Sequence, residues 1–295
     1  VWADIDPATR LVSLASVRKR LTPRTKAVVV VHLYGMPCEI EDFAAFCQEH
    51  RLWLIEDTAQ AFGAEYRGRK VGTFGDFGVF SLHGQKNITT LGEGGVLIVR
   101  DPALAAKVPG LRHNGIMPFP GPRAHYWKPA MSNVDADLDG VWPYNFCMTE
   151  VQAALGAKLL DRVDDLNGRR IARARQFRQA LAGFPELEFQ RVPDHIKHVY
   201  HLLTARYRGE AHGKTKDDLI GLLFEQYGIK AIVQYCPLHR YPLFQKMGFG
   251  QADCPESEAF FDNMISFPFH IWMSETDFTY MIESTKAALL TLRKG

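Results

Sequence analysis

The residues best equipped for chemistry are an acid and an amine at the ends of two short apolar runs. Leu52 to Ile55 delivers Glu56, Asp57, Thr58, Ala59 and Gln60, and Gly78 to Ser81 delivers Ser81, His83 and Lys86 ahead of Gly92-Glu93-Gly94-Gly95. If both runs are strands of one α/β sheet, their outlets lie at its carboxyl edge, where loops emerge and ligands bind. Desolvation of a lysine in such a crevice disfavours its charged form and exposes a nucleophilic amine able to form a Schiff base. A carboxylate at a neighbouring strand end can keep a heterocyclic nitrogen protonated. Spacing alone leaves plainer roles open: Asp57 as a helix cap, Lys86 as a solvated lysine, the glycine run as a turn.

The elements that must position these groups can be read along the chain. Apolar runs at Ala27 to Val31, Leu52 to Ile55, Gly78 to Ser81 and Gly95 to Val99 alternate with amphipathic stretches, the pattern of βαβ units and a parallel layer covered by helices. Ile40, Phe43, Ala44 and Cys47 give one helical face between the first two runs. Residues Pro109 to Pro143, rich in Pro, Gly, Asn and Asp, predict a long irregular connection, and its aromatic cluster His125-Tyr126-Trp127 is placed either to cover a ligand or to anchor the loop. From Met148 through Leu166 the apolar spacing predicts a long helix, with Thr149 and Gln152 as a capping box. Strands are expected at Val199 to Tyr207 and Ile229 to Tyr235, with a helix from Thr215 to Tyr227 stopped by Gly228 and a last helix after Ser274. The expected architecture is α/β, with a large domain over 1–155 and a smaller α+β domain over 156–295 that includes the linking helix.

Composition narrows the partners. A chain of 295 residues is long enough for about two domains, and 46% apolar with 23% charged residues is the balance of a folded globular protein. Thirty-five Lys and Arg against thirty-three Asp and Glu leave a formal charge of +2, too small for a nucleic-acid footprint. No apolar run approaches the ~20 residues of a membrane span, and no basic stretch followed by an apolar one opens the chain, so the expected location is the cytoplasm. Five cysteines without a C-x-x-C pair read as reduced thiols, neither a disulfide framework nor a zinc site. His32 is expected to fix loop geometry by hydrogen bonding, and no metal site is expected.

Three motifs then carry a resemblance: His32-Leu33-Tyr34-Gly35, Ile55-Glu56-Asp57-Thr58-Ala59-Gln60-Ala61-Phe62-Gly63-Ala64, and Phe80 through Lys86 to Gly95. In this order and spacing they resemble the DegT/DnrJ/StrS family of pyridoxal phosphate (PLP)-dependent sugar aminotransferases, of fold-type I. The similarity continues through Tyr144-Asn145-Phe146-Cys147 to Gly156 and into Tyr235-Cys236-Pro237-Leu238-His239, and so spans essentially the whole chain.

The resemblance implies that Lys86 holds PLP covalently and shuttles the proton. It implies that Asp57 pairs with the pyridinium nitrogen, that Gln60 lies beside the cofactor, and that Ser81 binds its phosphate. Asn145 is implied to reach the phosphate of a neighbouring subunit, making a homodimer with shared sites. The implied substrates are an amino-acid donor, glutamate foremost, and a ketosugar, nucleotide-linked, in amino-sugar biosynthesis. His83 is expected to line the cofactor loop, and Tyr235 and His239 are candidates to face substrate.

Family members carry roughly another hundred residues upstream, including a small-residue turn at a helix N-terminus that binds the cofactor's phosphate. This sequence starts at Val1-Trp2-Ala3-Asp4, resembling the strand after that segment, so an N-terminal segment is expected to be missing. Cys147 and Gln234 stand where the family often has Arg and His. Two rivals follow. A ketosugar dehydratase of the same family usually has His in place of the lysine, which Lys86 argues against. A non-catalytic paralogue or assembly subunit is opposed by Asp57, Gln60, Ser81 and Lys86 occurring together.

Overall fold

The computed structural model describes residues 1–117 and 137–294, so His125-Tyr126-Trp127 lies outside the described residues. After α1 (Leu14–Arg20), the first half runs β1 (Ala27–Val31), α2 (Ile40–His50), β2 (Trp53–Asp57), the small hairpin β3 (Glu65–Tyr66) and β4 (Arg69–Lys70), β5 (Phe77–Ser81), β6 (Gly95–Val99) and α3 (Pro102–Arg112). The second half runs α4 (Glu150–Leu160), α5 (Val163–Ala180), β7 (Leu187–Phe189), β8 (Ile196–Lys197), β9 (Leu203–Tyr207), α6 (Lys216–Tyr227), α7 (Pro242–Lys246), α8 (Pro255–Asn263), β10 (Met264–Phe267) and α9 (Glu275–Lys294).

The main sheet has the order β1-β2-β5-β6. β1, β2 and β5 are parallel, and β6 returns antiparallel to β5, so the layer is mostly rather than wholly parallel. Strand alternation splits its residues between two faces. Val28, Val30, Leu54 and Phe80 point to the face that α2 covers with Ile40, Phe43, Phe46 and Cys47, and all are buried. The opposite face carries Val29, Trp53, Val79 and Leu97, at 56%, 46%, 40% and 47% exposure, so the layer is covered on one side only among the described residues. A second core, around Phe177, Leu203, Tyr207, Leu219, Phe278 and Ile282, joins α5, α6 and α9 to the sheet β10-β9-β7.

Several expectations change for identifiable reasons. The helix α3, capped at its start by Asp101 with bonds from Ala103 N (2.7 Å) and Leu104 N (3.0 Å), runs through Pro109 to Arg112, so the irregular connection expected from Pro109 starts only after it. The long helix breaks into α4 and α5 at Asp161-Arg162, where Arg162 N bonds Leu159 O in a tighter i to i+3 turn; its capping box forms as expected at Thr149 and Gln152. The strand expected from Val199 begins only at Leu203, because Val199 N and His201 N bond Gly35 O and Tyr34 O instead. Both edges of β9 are taken by β7 and β10, so the expected strand Ile229 to Tyr235 is reduced to one bridge, Ile232 to Ser266.

Helix α6 shows how directly sequence sets an end. Thr215 and Asp218 form a reciprocal capping box, and Gly228 closes the helix at φ 67°, a left-handed conformation that costs an L-residue energy. Space around the Gly228 Cα is open, so only the backbone term is at stake in a substitution. Gly228→Ala should lower stability by about 1 kcal/mol, read from the urea midpoint; an unchanged midpoint would mean that the loop after α6 relaxes freely.

Candidate active site

Asp57 closes β2, and its Cα partner across the parallel ladder is Val79. Ser81 lies two residues beyond Val79 on β5, so Asp57 and Ser81 share one face of adjacent strands at their carboxyl ends. This is the face that also carries Val29, Val79 and Leu97. Asp57 Oδ1 accepts only Ala59 N, at 3.0 Å, and no cation pairs with the carboxylate among the described residues. Ser81 Oγ accepts His83 N at 3.3 Å and keeps its hydrogen free to donate. Three residues past Asp57, Gln60 Oε1 accepts Tyr34 N at 2.7 Å.

Glu56 sits on the opposite face, fully buried. Its Oε1 accepts Phe74 N and Gly75 N at 2.6 Å each, and its Oε2 accepts Gly72 N at 2.7 Å and faces His32 Nε2 at 3.1 Å. His32 Nδ1 in turn accepts Cys38 N at 3.0 Å, so the ring is neutral, with its proton on Nε2 and donated to Glu56. Burial alone would raise the Glu56 pKa, but these hydrogen bonds outweigh it and hold the carboxyl below its ordinary value. Gly72 is required in the turn: its φ is 85°, and a Cβ there would run into the Phe80 ring. The structure bears out His32 as a fixer of loop geometry.

Lys86 rides on a loop closed at its base by Leu82 N to Gly94 O (2.7 Å), Gly84 N to Gly92 O (2.8 Å) and Thr90 N to Leu82 O (2.9 Å). Its half-buried side chain meets no carboxylate within ion-pair distance among the described residues. Neighbouring Asn87 donates to Val199 O at 3.4 Å and lies 3.3 Å from His201 Nδ1. Burial, with the charges of Lys86 and Arg170 added, pushes the His201 imidazole down to about 3, so it stays neutral. The buried guanidinium of Arg170 donates to Tyr200 O and His201 O, holding that segment against the lysine loop. Desolvation there lowers the Arg170 pKa to about 10.

The structure therefore brings Asp57, Gln60, Ser81 and Lys86 to one sheet edge and leaves Asn145 elsewhere. Asn145 is exposed, bridges only to His113, and accepts Cys147 N at 3.1 Å. His83 turns into its own loop, with Nδ1 accepting Gln85 N and Nε2 3.6 Å from Glu93. Tyr235 and His239 line a separate cavity of about 190 Å³ beside Tyr34, and His239 is tied to Glu258. His201, Arg170 and the backbone of Tyr34 escaped the sequence reading. The first two reach the lysine loop from more than a hundred residues downstream or through main-chain oxygens, and no local spacing signals either contact.

These groups fit PLP. An unpaired carboxylate at one strand end, a hydroxyl free to donate at the next and an amine without an acid partner are the donor set such a cofactor uses. Asp57 would face its ring nitrogen, Ser81 its phosphate and Lys86 its aldehyde.

A model of the DegT/DnrJ/EryC1/StrS aminotransferase family matches residues 1–286. The chain is 33% identical over 288 residues to the spore coat polysaccharide biosynthesis protein SpsC of Bacillus subtilis, covering 97% of this chain and 72% of that one. It is also 33% identical to a GDP-perosamine synthase of Caulobacter vibrioides, over 98% of this chain and 73% of the other. The solved aminotransferase TlmJ of Streptoalloteichus hindustanus superposes with a TM-score of 0.85 at 28% identity, over 99% of this chain and 73% of its own.

The Glu56 cluster makes a stability prediction. Glu56→Gln puts an amide among four donors and should destabilise the fold by about 3 kcal/mol at neutral pH. Because the folded pKa lies below the unfolded value of 4.5, the carboxylate's contribution is complete above that value and is lost as pH falls through the folded pKa. The gap between wild type and variant in urea midpoints should shrink as the solution is taken below pH 4.5. A gap that stays constant across that range would contradict the assignment.

Proposed function

The chain belongs to the DegT/DnrJ/EryC1/StrS aminotransferase family, whose enzymes depend on PLP, and on that basis we propose that it transfers an amino group from glutamate to the ketone of a nucleotide-linked sugar. The observation that carries the reading is the meeting, at one carboxyl edge of the sheet, of Asp57, Ser81 and a Lys86 with no acid partner among the described residues. The sugar substrate draws support from the names of similar proteins, one a polysaccharide biosynthesis protein and one a synthase of a GDP-linked sugar.

When bound, PLP supplies the sink for the electron pair left on carbon as a proton departs. The chain's own residues do the rest. The Asp57 carboxylate would hold the protonated ring nitrogen, and the Ser81 hydroxyl would donate to the phosphate. Gln60, anchored on Tyr34 N, would lie beside the ring. Lys86 Nζ takes the proton from the donor's α-carbon and, after the amino group has moved, works in the reverse sense on the sugar. The neutral imidazole of His201 adds no second positive charge beside Lys86. In this reading the enzyme works in the cytoplasm as a homodimer, and Asn145, on a surface segment flanked by exposed Trp142, Tyr144 and Phe146, completes the neighbouring site.

Two measurements test this. Borohydride reduction of the PLP-loaded protein should leave the pyridoxyl mass on the peptide holding Lys86; Lys86→Ala should lack it and lose turnover by at least about a thousandfold. Retention of label and turnover by that variant would remove Lys86 from the mechanism. Offered ¹⁵N-glutamate and a panel of nucleotide-linked and free ketosugars, the enzyme should place the label on a nucleotide-linked sugar. Label reaching only 2-oxo acids would sink the sugar assignment, and a deoxysugar formed without label would point to a dehydratase.

A further inference from the structure

A cavity of about 730 Å³ opens away from the lysine loop, between the β3–β4 hairpin, α5 and the segment before β9. Its ionic lining is lopsided: Arg67, Arg175, Arg178 and Lys197 against Glu65 and Asp194. Lys197 is spoken for by Glu65 at 3.0 Å and Asp164 at 3.2 Å, and Arg67 by Glu41 at 3.3 Å. Arg175 and Arg178 are different. They stand three residues apart on α5, hence on one face, and no carboxylate lies within ion-pair distance of either among the described residues.

Arg178 is also held in place before any ligand arrives. Its Nη1 donates to Tyr200 Oη at 2.9 Å and its Nη2 to Gln190 O at 2.9 Å, while its guanidinium lies over the Phe189 ring. All three partners are neutral, so its charge stands uncompensated on a fixed side chain. Tyr200 is itself braced by the buried His198 ring, stacked at 3.8 Å between centroids. Burial pushes that imidazole down to about 3, so it contributes shape rather than charge. Ile171, Val192 and Pro193 supply an apolar wall beside the two guanidiniums.

We propose that this cavity is a second binding site, for a small phosphate-bearing molecule whose phosphate is gripped by Arg175 and Arg178 and whose organic body lies on the apolar wall. Guanidinium forks match phosphate oxygens in geometry as well as charge, and a fixed fork loses little freedom on binding. The volume suits a ligand of sugar-phosphate or mononucleotide size. This inference does not rest on the aminotransferase reading, since none of its residues belongs to the sheet edge that holds Lys86.

Calorimetric titration with inorganic pyrophosphate tests it, on protein saturated with PLP so that the cofactor's own phosphate subsite is filled. One saturable site per chain is expected. Arg175→Gln, an exposed substitution, should weaken binding by about tenfold or more, and Arg175→Gln with Arg178→Gln should abolish it. Should the double variant fail to fold by circular dichroism, the single Arg175→Gln comparison decides. Equal affinity in wild type and Arg175→Gln, no heat with PLP-loaded wild type, or citrate binding as tightly as pyrophosphate would each overturn the proposal.

Discussion

A carboxylate sealed from water governs the geometry of this protein's reactive edge. An isolated buried charge costs several kcal/mol, and Glu56 escapes that cost because three backbone N–H groups and a neutral imidazole converge on its two oxygens. The cluster pins the 72–75 turn, the loop after β1 and the end of β2 to one another. Since side chains alternate along a strand, the next residue, Asp57, emerges on the other face with its backbone already immobilised. Precision of that kind in a supporting shell is what keeps a reactive carboxylate where a ring nitrogen needs it.

A second constraint binds the two halves of the chain. The stretch from Val199 to His201 uses its N–H groups on Tyr34 and Gly35, and its carbonyls on Asn87 and Arg170. It therefore forgoes the strand its β-branched and aromatic residues favour and becomes a strap across the base of the lysine loop. Propensity loses here to hydrogen bonds supplied by distant segments. The same strap carries Tyr200, stacked on His198 beneath the α5 cavity, so one bonded segment lies both under that cavity and against the lysine loop.

How readable the sequence was depended on distance along the chain. The strands Ala27–Val31 and Gly95–Val99, the capping box at Thr149 and the stop at Gly228 rest on local spacing and were anticipated, whereas the roles of Asp57, Gln60, Ser81 and Lys86 came from the family resemblance and not from spacing. The strand at Met264–Phe267 was not read from the sequence, while Ile229 to Tyr235 was expected as one; both runs are apolar, and only the pairing of β9 with β7 and β10 distinguishes them. The antiparallel return of β6 was equally hidden: five apolar residues look alike in either direction.

What the sequence by itself determined is the set of local instructions: periodicity, caps, and an acid and an amine delivered at the ends of short strands. Those depend on residues within a turn or two of each other, and the chain's own stereochemistry enforces them. What only the tertiary structure decided is which distant groups answer them: His32 and the 72–75 turn for Glu56, Tyr34 for Gln60, Asn87 for His201 across 114 residues. The reason is that a buried polar group must find a partner somewhere, and the partner is chosen by packing in three dimensions rather than by any spacing along the chain.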